Sequence, residues 1–215
     1  MDNLIFLDWE LGFTLDPGLK PEEFVPASVP GAVQLDWSRA KGMGDPHWAD
    51  NWRDYLWMED AWWLYRARLK PPKLNGGERL HFIAGGVDYA FKIYFDGEML
   101  HEQEGMFTPV DIDLGTSVHE GALLEILINP APKSRPSPPD RVQANQSCKP
   151  AVAYGWDFHP RLIPLGVWQH AGLKVVPATR LADAEISYTL SPDFTSADVS
   201  LAVRPSAPKG GRIRW

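Results

Sequence analysis

The sequence predicts an all-β chain built on an antiparallel β-sandwich of the jelly-roll type. Three observations carry this. Apolar residues recur with period two through most of the chain. An Asp-Gly pair, the strongest short hairpin signal, joins two such runs at 95–98. Only one stretch has helical spacing. Short strands separated by turn residues build sandwiches and barrels rather than parallel sheets.

In chain order, "PGAVQLDWSRAKG" (30–42) sets Val33, Trp37 and Ala40 three or four residues apart and stops at Gly42, predicting one short helix. Segment 43–61, "MGDPHWADNWRDYLWMEDA", holds three tryptophans without a sustained period and reads as an irregular insertion. Strands follow at "WWLYRARLK" (62–70), "ERLHFIAGG" (78–86) and across the hairpin "YAFKIYFDGEML" (89–100). Asp88, in "GGVDYA", is expected to tie its carboxylate to backbone amides in a turn. "TPVDIDLG" (108–115), "ALLEILINP" (122–130) and "HAGLKVVPA" (170–178) add three strands, with Asp111 and Asp113 on a solvated face. A second irregular insertion spans 130–167 and opens on the proline-rich "PAPKSRPSPPDRVQ". Beyond it, "ADAEISYTLSP" (182–192) and "SADVSLAVRP" (196–205) alternate as two more strands. Two strands are marginal alone, and a complete sandwich takes about 100 residues. The expected organisation is therefore a jelly roll over 1–178 and the opening of a second, truncated β-sandwich over 179–215.

Composition narrows the function. A net charge of -7 argues against a nucleic-acid surface, where a basic stripe is expected, so no nucleic-acid partner is expected. No run of about 18 apolar residues exists, so no membrane partner is expected. "MDNLIFLDWELGF" lacks the basic start of a secretory leader, and Cys148 is the single cysteine, so a cytoplasmic location is the expectation. Zinc spacing, phosphate loops, dinucleotide fingerprints and nucleophile elbows are missing, so neither metal nor cofactor is expected. Ten tryptophans are many for this length. Indole rings stack on the apolar faces of sugars and also fill cores, and most of these are expected to be structural.

One stretch concentrates chemistry: "AYGWDFHPRLIPLGVW" (153–168). Its prolines and glycines prevent a helix and interrupt a sheet ladder. In one reading Asp157 pairs with Arg161 to stiffen a turn while Trp156 and Phe158 plug the core. In the other, Asp157 accepts hydrogen bonds from sugar hydroxyls beside an aromatic wall, the arrangement that orients a small polar ligand.

These residues resemble glycoside hydrolase family 2, in its β-mannosidase-like branch. "VPASVPGAVQLDWSRAKGMGDPHWADN", "WWLYRARL", "GGVDYAFKIYFDGEMLHEQEGMFTPVDIDL" and "YGWDFHPRLIPLGVW" are similar, in order, to segments of that family's N-terminal region over about 5–175. The resemblance implies a galactose-binding-domain-like jelly roll, followed by an immunoglobulin-like sandwich and a (β/α)8 barrel. The barrel would carry the two glutamates of a retaining exo-glycosidase. It implies a carbohydrate substrate, with Trp156, Asp157 and Arg161 as substrate-binding residues, and the C-terminal barrel as partner. The chain alone, without the barrel, is expected to be inactive. Phe158 and His159 stand where the family's "GWDWGPR" has tryptophan and glycine. Alternatives are a stand-alone carbohydrate-binding module using tryptophans of 43–63, a β-galactosidase or β-glucuronidase type, or a purely structural domain.

Overall fold

The structure is a computed structural model and describes residues 4–135, 139–177 and 179–206. Residues 136–138 of the proline-rich stretch and the tail beyond 206 lie outside them. Among the described residues no helix is long and apolar enough to cross a membrane.

Period-two patterning yields antiparallel sheets, as the sequence predicts. The larger sheet contains β1 (Trp9–Thr14), β2 (Val25–Ala27), β3 (Trp62–Arg68), β5 (Ala90–Phe95), β6 (Glu98–Glu104) and β8 (Leu123–Ile128), in the order β2-β1-β3-β8-β5-β6. A three-stranded sheet, β7-β4-β9, joins β4 (Glu78–Ala84) to β7 (Val110–Gly115) and β9 (Ala171–Pro177). Trp63, Tyr65 and Ala67 of β3 sit opposite Ile128, Ile126 and Leu124 of β8, and all six are buried. Leu80, Phe82 and Ala84 bring the second sheet into the same core, where the Trp9 and Phe82 rings meet edge to face across 6.3 Å. Burying each large side chain contributes about 1.5–3 kcal/mol, so this shared face holds the sandwich together. At the hairpin tip Asp96 and Gly97 have φ of 48° and 85°, the two positive values that Asp-Gly supplies most easily.

β1 and β2 are additional to the sequence expectation. Gly12 interrupts the first and Pro26 the second, which hides both from a pattern count. Segment 43–61 is more ordered than expected, because it contains a 3-10 helix over Asn51–Asp60. Trp57 in that helix packs on Phe13 and Trp63, with centroids 4.7 and 5.8 Å away.

The helix α1 spans Val33–Lys41 and ends at left-handed Gly42, as its spacing predicts. Its buried side chains are Val33, Gln34, Asp36 and Trp37, whereas Ala40 is exposed. The two polar residues act as clamps. Gln34 Nε2 donates to the Ile163 carbonyl at 2.8 Å. The Asp36 carboxylate accepts from the Ser28 amide at 3.0 Å and from Arg39 at 2.9 Å. Burial pushes the Asp36 carboxyl above its ordinary range, against these two partners.

Asp88 departs from expectation. Both its carboxylate oxygens accept from Lys149 Nζ, at 2.6 Å each, rather than from backbone amides. Lys149 also donates to the Pro164 carbonyl at 2.7 Å. Burial pushes the Asp88 carboxyl up and the Lys149 ammonium down, and each charge opposes the other's shift.

β10 (Leu181–Leu190) and β11 (Ala197–Pro205) pair only with each other among the described strands. Ile186 faces Leu201 and Tyr188 faces Val199, so one side of this ribbon is apolar, and all four side chains are exposed.

Candidate functional site

The 153–168 loop is strapped to the sandwich along its second half. Gly31 and Val33 donate backbone hydrogen bonds to the carbonyls of Val167 and Leu165, each at 2.9 Å. Asp88 and Gly166 exchange two backbone bonds at 2.8 and 3.1 Å. Gly166 has φ of 143°, and a Cβ there would lie 2.9 Å from the Tyr65 hydroxyl and 3.0 Å from the Gly31 carbonyl oxygen. Only glycine fits so close an approach.

The first half turns outward. Trp156 and His159 exchange backbone hydrogen bonds at 2.9 and 3.2 Å, forming a tight hairpin with Asp157 and Phe158 at its tip. Phe158 is 80% exposed and Trp156 is 41% exposed. Neither plugs the core, so that expectation is corrected: both rings sit on a hairpin that turns outward from the sandwich. Asp157 is also exposed.

Arg161 does not pair with Asp157. It turns the other way, onto the loop's base. Its Nε reaches the Glu59 carboxylate at 3.0 and 3.1 Å, and its Nη2 reaches Glu59 at 2.6 Å and Gln143 Oε1 at 2.8 Å. Its Nη1 donates to the Tyr154 carbonyl at 3.2 Å. Lys133 adds a second cation on Glu59 at 2.6 Å and bridges to Asp60 at 2.7 Å. The side chains of Glu59 and Lys133 are each only 8% exposed. Charge pairing at such burial fixes geometry, because either ion alone would be poorly solvated.

The short 3-10 turn Arg141–Ala144 faces the hairpin. Asp140 Oδ1 caps it by accepting from Val142 N at 2.9 Å. The Arg141 guanidinium lies over the Trp156 ring at 3.7 Å from its centroid. An open depression of about 530 Å3 results, lined by Asp140, Arg141, Trp156, Asp157, His159 and Arg161 among others. It combines an indole with carboxylates, which together can orient a polyhydroxylated ring, and its two guanidiniums are engaged by Trp156 and by Glu59.

The three residues singled out from sequence thus adjoin one depression, with Trp156 and Asp157 at its exposed rim and Arg161 in its wall. Sequence reasoning missed Glu59, Lys133, Gln143 and Arg141. Glu59 and Arg161 are 102 positions apart, and no local signal links them. The tryptophans of 43–63 do not form an exposed platform: Trp48 is 74% exposed, but Trp63 is fully buried and Trp57 packs against it.

The sequence profile of the glycosyl hydrolase 2 galactose-binding domain-like family matches residues 12–169. Beta-mannosidase B of Aspergillus niger is 27% identical over 197 residues, covering 85% of this chain and 23% of that protein. Beta-mannosidase B of Aspergillus fumigatus is 26% identical over 200 residues, covering 86% and 24%. The chain therefore spans about a quarter of the length of the curated relatives it matches. Among solved structures, a β-D-mannosidase from Dictyoglomus thermophilum superposes with a TM-score of 0.72 at 23% identity, over 93% of this chain and 26% of that one. An exo-chitosanase from Amycolatopsis orientalis gives 0.62 at 16% identity, over 94% and 24%. These two likenesses concern the fold.

Proposed function

We propose a role that starts from membership: the chain belongs to the glycosyl hydrolase 2 galactose-binding domain-like family, and it acts as the jelly-roll part of a β-mannosidase-like exo-glycosidase. Hydrolysis with retention needs two carboxylates about 5–5.5 Å apart across the glycosidic bond, one as nucleophile and one as acid/base. In this reading both belong to a C-terminal barrel of the same polypeptide, and the present chain supplies an accessory wall of the sugar site. Trp156 offers an apolar face to the sugar ring, and the Asp157 carboxylate accepts hydrogen bonds from its hydroxyls. Arg161 serves the site from behind by fixing the hairpin base.

The observation that carries this reading is the split character of the hairpin. Its tip exposes Trp156, Asp157 and Phe158, while its base is anchored by the Arg161–Glu59–Lys133 charges. An exposed loop that is nonetheless held in place limits the entropy lost on binding. The names of the curated relatives favour a mannoside over a glucuronide. The engagement of Arg161 with Glu59 fits, because it takes that cation away from a uronate carboxylate. The apolar side of the β10–β11 ribbon supports a boundary near 178, with 179–215 opening an immunoglobulin-like sandwich.

The test is an assay with an aryl β-mannoside. The purified 215-residue chain is expected to release no chromophore, and the polypeptide extended through a family 2 barrel is expected to release it. Robust turnover by the chain alone contradicts the division of labour.

A further inference from the structure

We propose that Arg141 is a positioning residue for the sugar-contacting indole: by stacking on Trp156 it fixes the ring's orientation and reserves the other face for ligand. The inference rests on the sugar-contact reading above.

Arg141 and Gln143 project from one short turn and hold the hairpin at both ends. Arg141 lies over Trp156 at 3.7 Å, and Gln143 accepts from Arg161 at 2.8 Å. The turn is itself pinned, by the Asp140 cap and by Ser134. The Ser134 amide donates to the Gln143 carbonyl at 2.8 Å, and its hydroxyl to the Val142 carbonyl at 2.9 Å. Such bracing is unneeded for an indole sunk in the core, whose neighbours already set its rotamer. Trp156 is 41% exposed, and an exposed ring at a hairpin edge otherwise samples several rotamers. A planar guanidinium stacks flat on an aromatic face, which an ammonium cannot do equally well. With one face occupied, a sugar can approach the indole from one side only. Asp157 follows directly in the chain and fixes where a hydroxyl acceptor stands relative to that side.

Arg141 touches no substrate in this account, so its effect belongs in binding rather than in the chemical step. A cation–π contact at an exposed site corresponds to about two- to five-fold in an equilibrium constant. Three variants are compared in the complete glycosidase polypeptide with an aryl β-mannoside: Arg141→Ala, Arg141→Lys and Trp156→Ala. Arg141→Ala should raise KM about two- to five-fold with kcat nearly unchanged, and Arg141→Lys should recover part of the loss. In the 215-residue chain, the Trp156 indole N–H resonance, identified by its disappearance in Trp156→Phe, should move in Arg141→Ala. The melting temperature should stay within about 2 °C of the parent, since Arg141 is an exposed side chain. If Trp156→Ala raises KM but Arg141→Ala does not, the positioning role is overturned and the sugar-contact reading stands. If Trp156→Ala leaves KM unchanged, the sugar-contact reading fails and the inference fails with it. A loss of stability in Arg141→Ala that accounts for the whole activity change also overturns the proposal.

Discussion

At the scale of single residues, the loop divides into side chains that hold and side chains that face solvent. Glu59 is the centre of the first group. Glu59→Ala leaves Arg161 and Lys133 short of a counter-charge at side-chain exposures of 13% and 8%. Breaking such a pair costs about 3–5 kcal/mol. The melting temperature of a domain this size should then fall by about 6–20 °C, measurable by calorimetry. Phe158 belongs to the second group. Phe158→Ala should change stability by no more than about 0.5 kcal/mol in a denaturant titration, because the ring is 80% exposed. From sequence, the composition of "YGWDFHPR" marks the segment as unusual, but the reading that pairs Asp157 with Arg161 and packs Phe158 in the core has the wrong partner for Arg161 and the wrong side for Phe158. Both errors share a cause. A loop's side chains are assigned to core or solvent by contacts far away in the chain, here Glu59 and Gln143, and composition does not carry that information.

At the scale of elements, strands with an uninterrupted period were legible, because one buried face imposes alternation wherever it exists. β1 and β2 escaped because a glycine and a proline break that period. The loop's attachment was legible only as a density of prolines and glycines, and its requirement falls on Gly166. Gly166→Ala places a methyl group within 3.0 Å of Tyr65, Ala32 and Gly31 atoms at a φ of 143°. The expected cost is about 2 kcal/mol or more, read from urea unfolding. α1 contributes a pH dependence through Asp36, whose carboxyl burial raises above its ordinary 3.8 despite bonds from Ser28 and Arg39. The folded chain therefore binds this proton more tightly than the unfolded chain. Its contribution to stability is complete below the unfolded value and is lost as pH rises through the folded one. Asp36→Asn removes the titration, so its stability relative to the parent should improve steadily from acid toward neutral pH. A difference that is flat across that range would contradict the assignment.

At the scale of the whole molecule, one sandwich core draws on β1–β5 and β7–β9, and β6 pairs onto its edge through β5, whereas the apolar side chains Ile186, Tyr188, Val199 and Leu201 of β10 and β11 stay exposed. A chain ending at Pro177 should keep the parent's near-ultraviolet dichroism and a melting temperature within about 3 °C, since a lone ribbon adds little stability. A large loss would show that 179–206 is part of the first unit. Family and fold class were readable from the order of the sequence segments, whereas the division between the anchored base and the open tip of the loop was not. That division is what the functional claim depends on, and Asp157 tests it most directly. If the proposed function holds, Asp157→Ala in a polypeptide extended through a family 2 barrel should lower kcat/KM by about 10- to 100-fold, the worth of a charged hydrogen bond to a substrate hydroxyl. Its melting temperature should match the parent's, because the carboxylate lies exposed at the hairpin tip. A variant that is destabilised yet fully active per folded molecule would contradict the account.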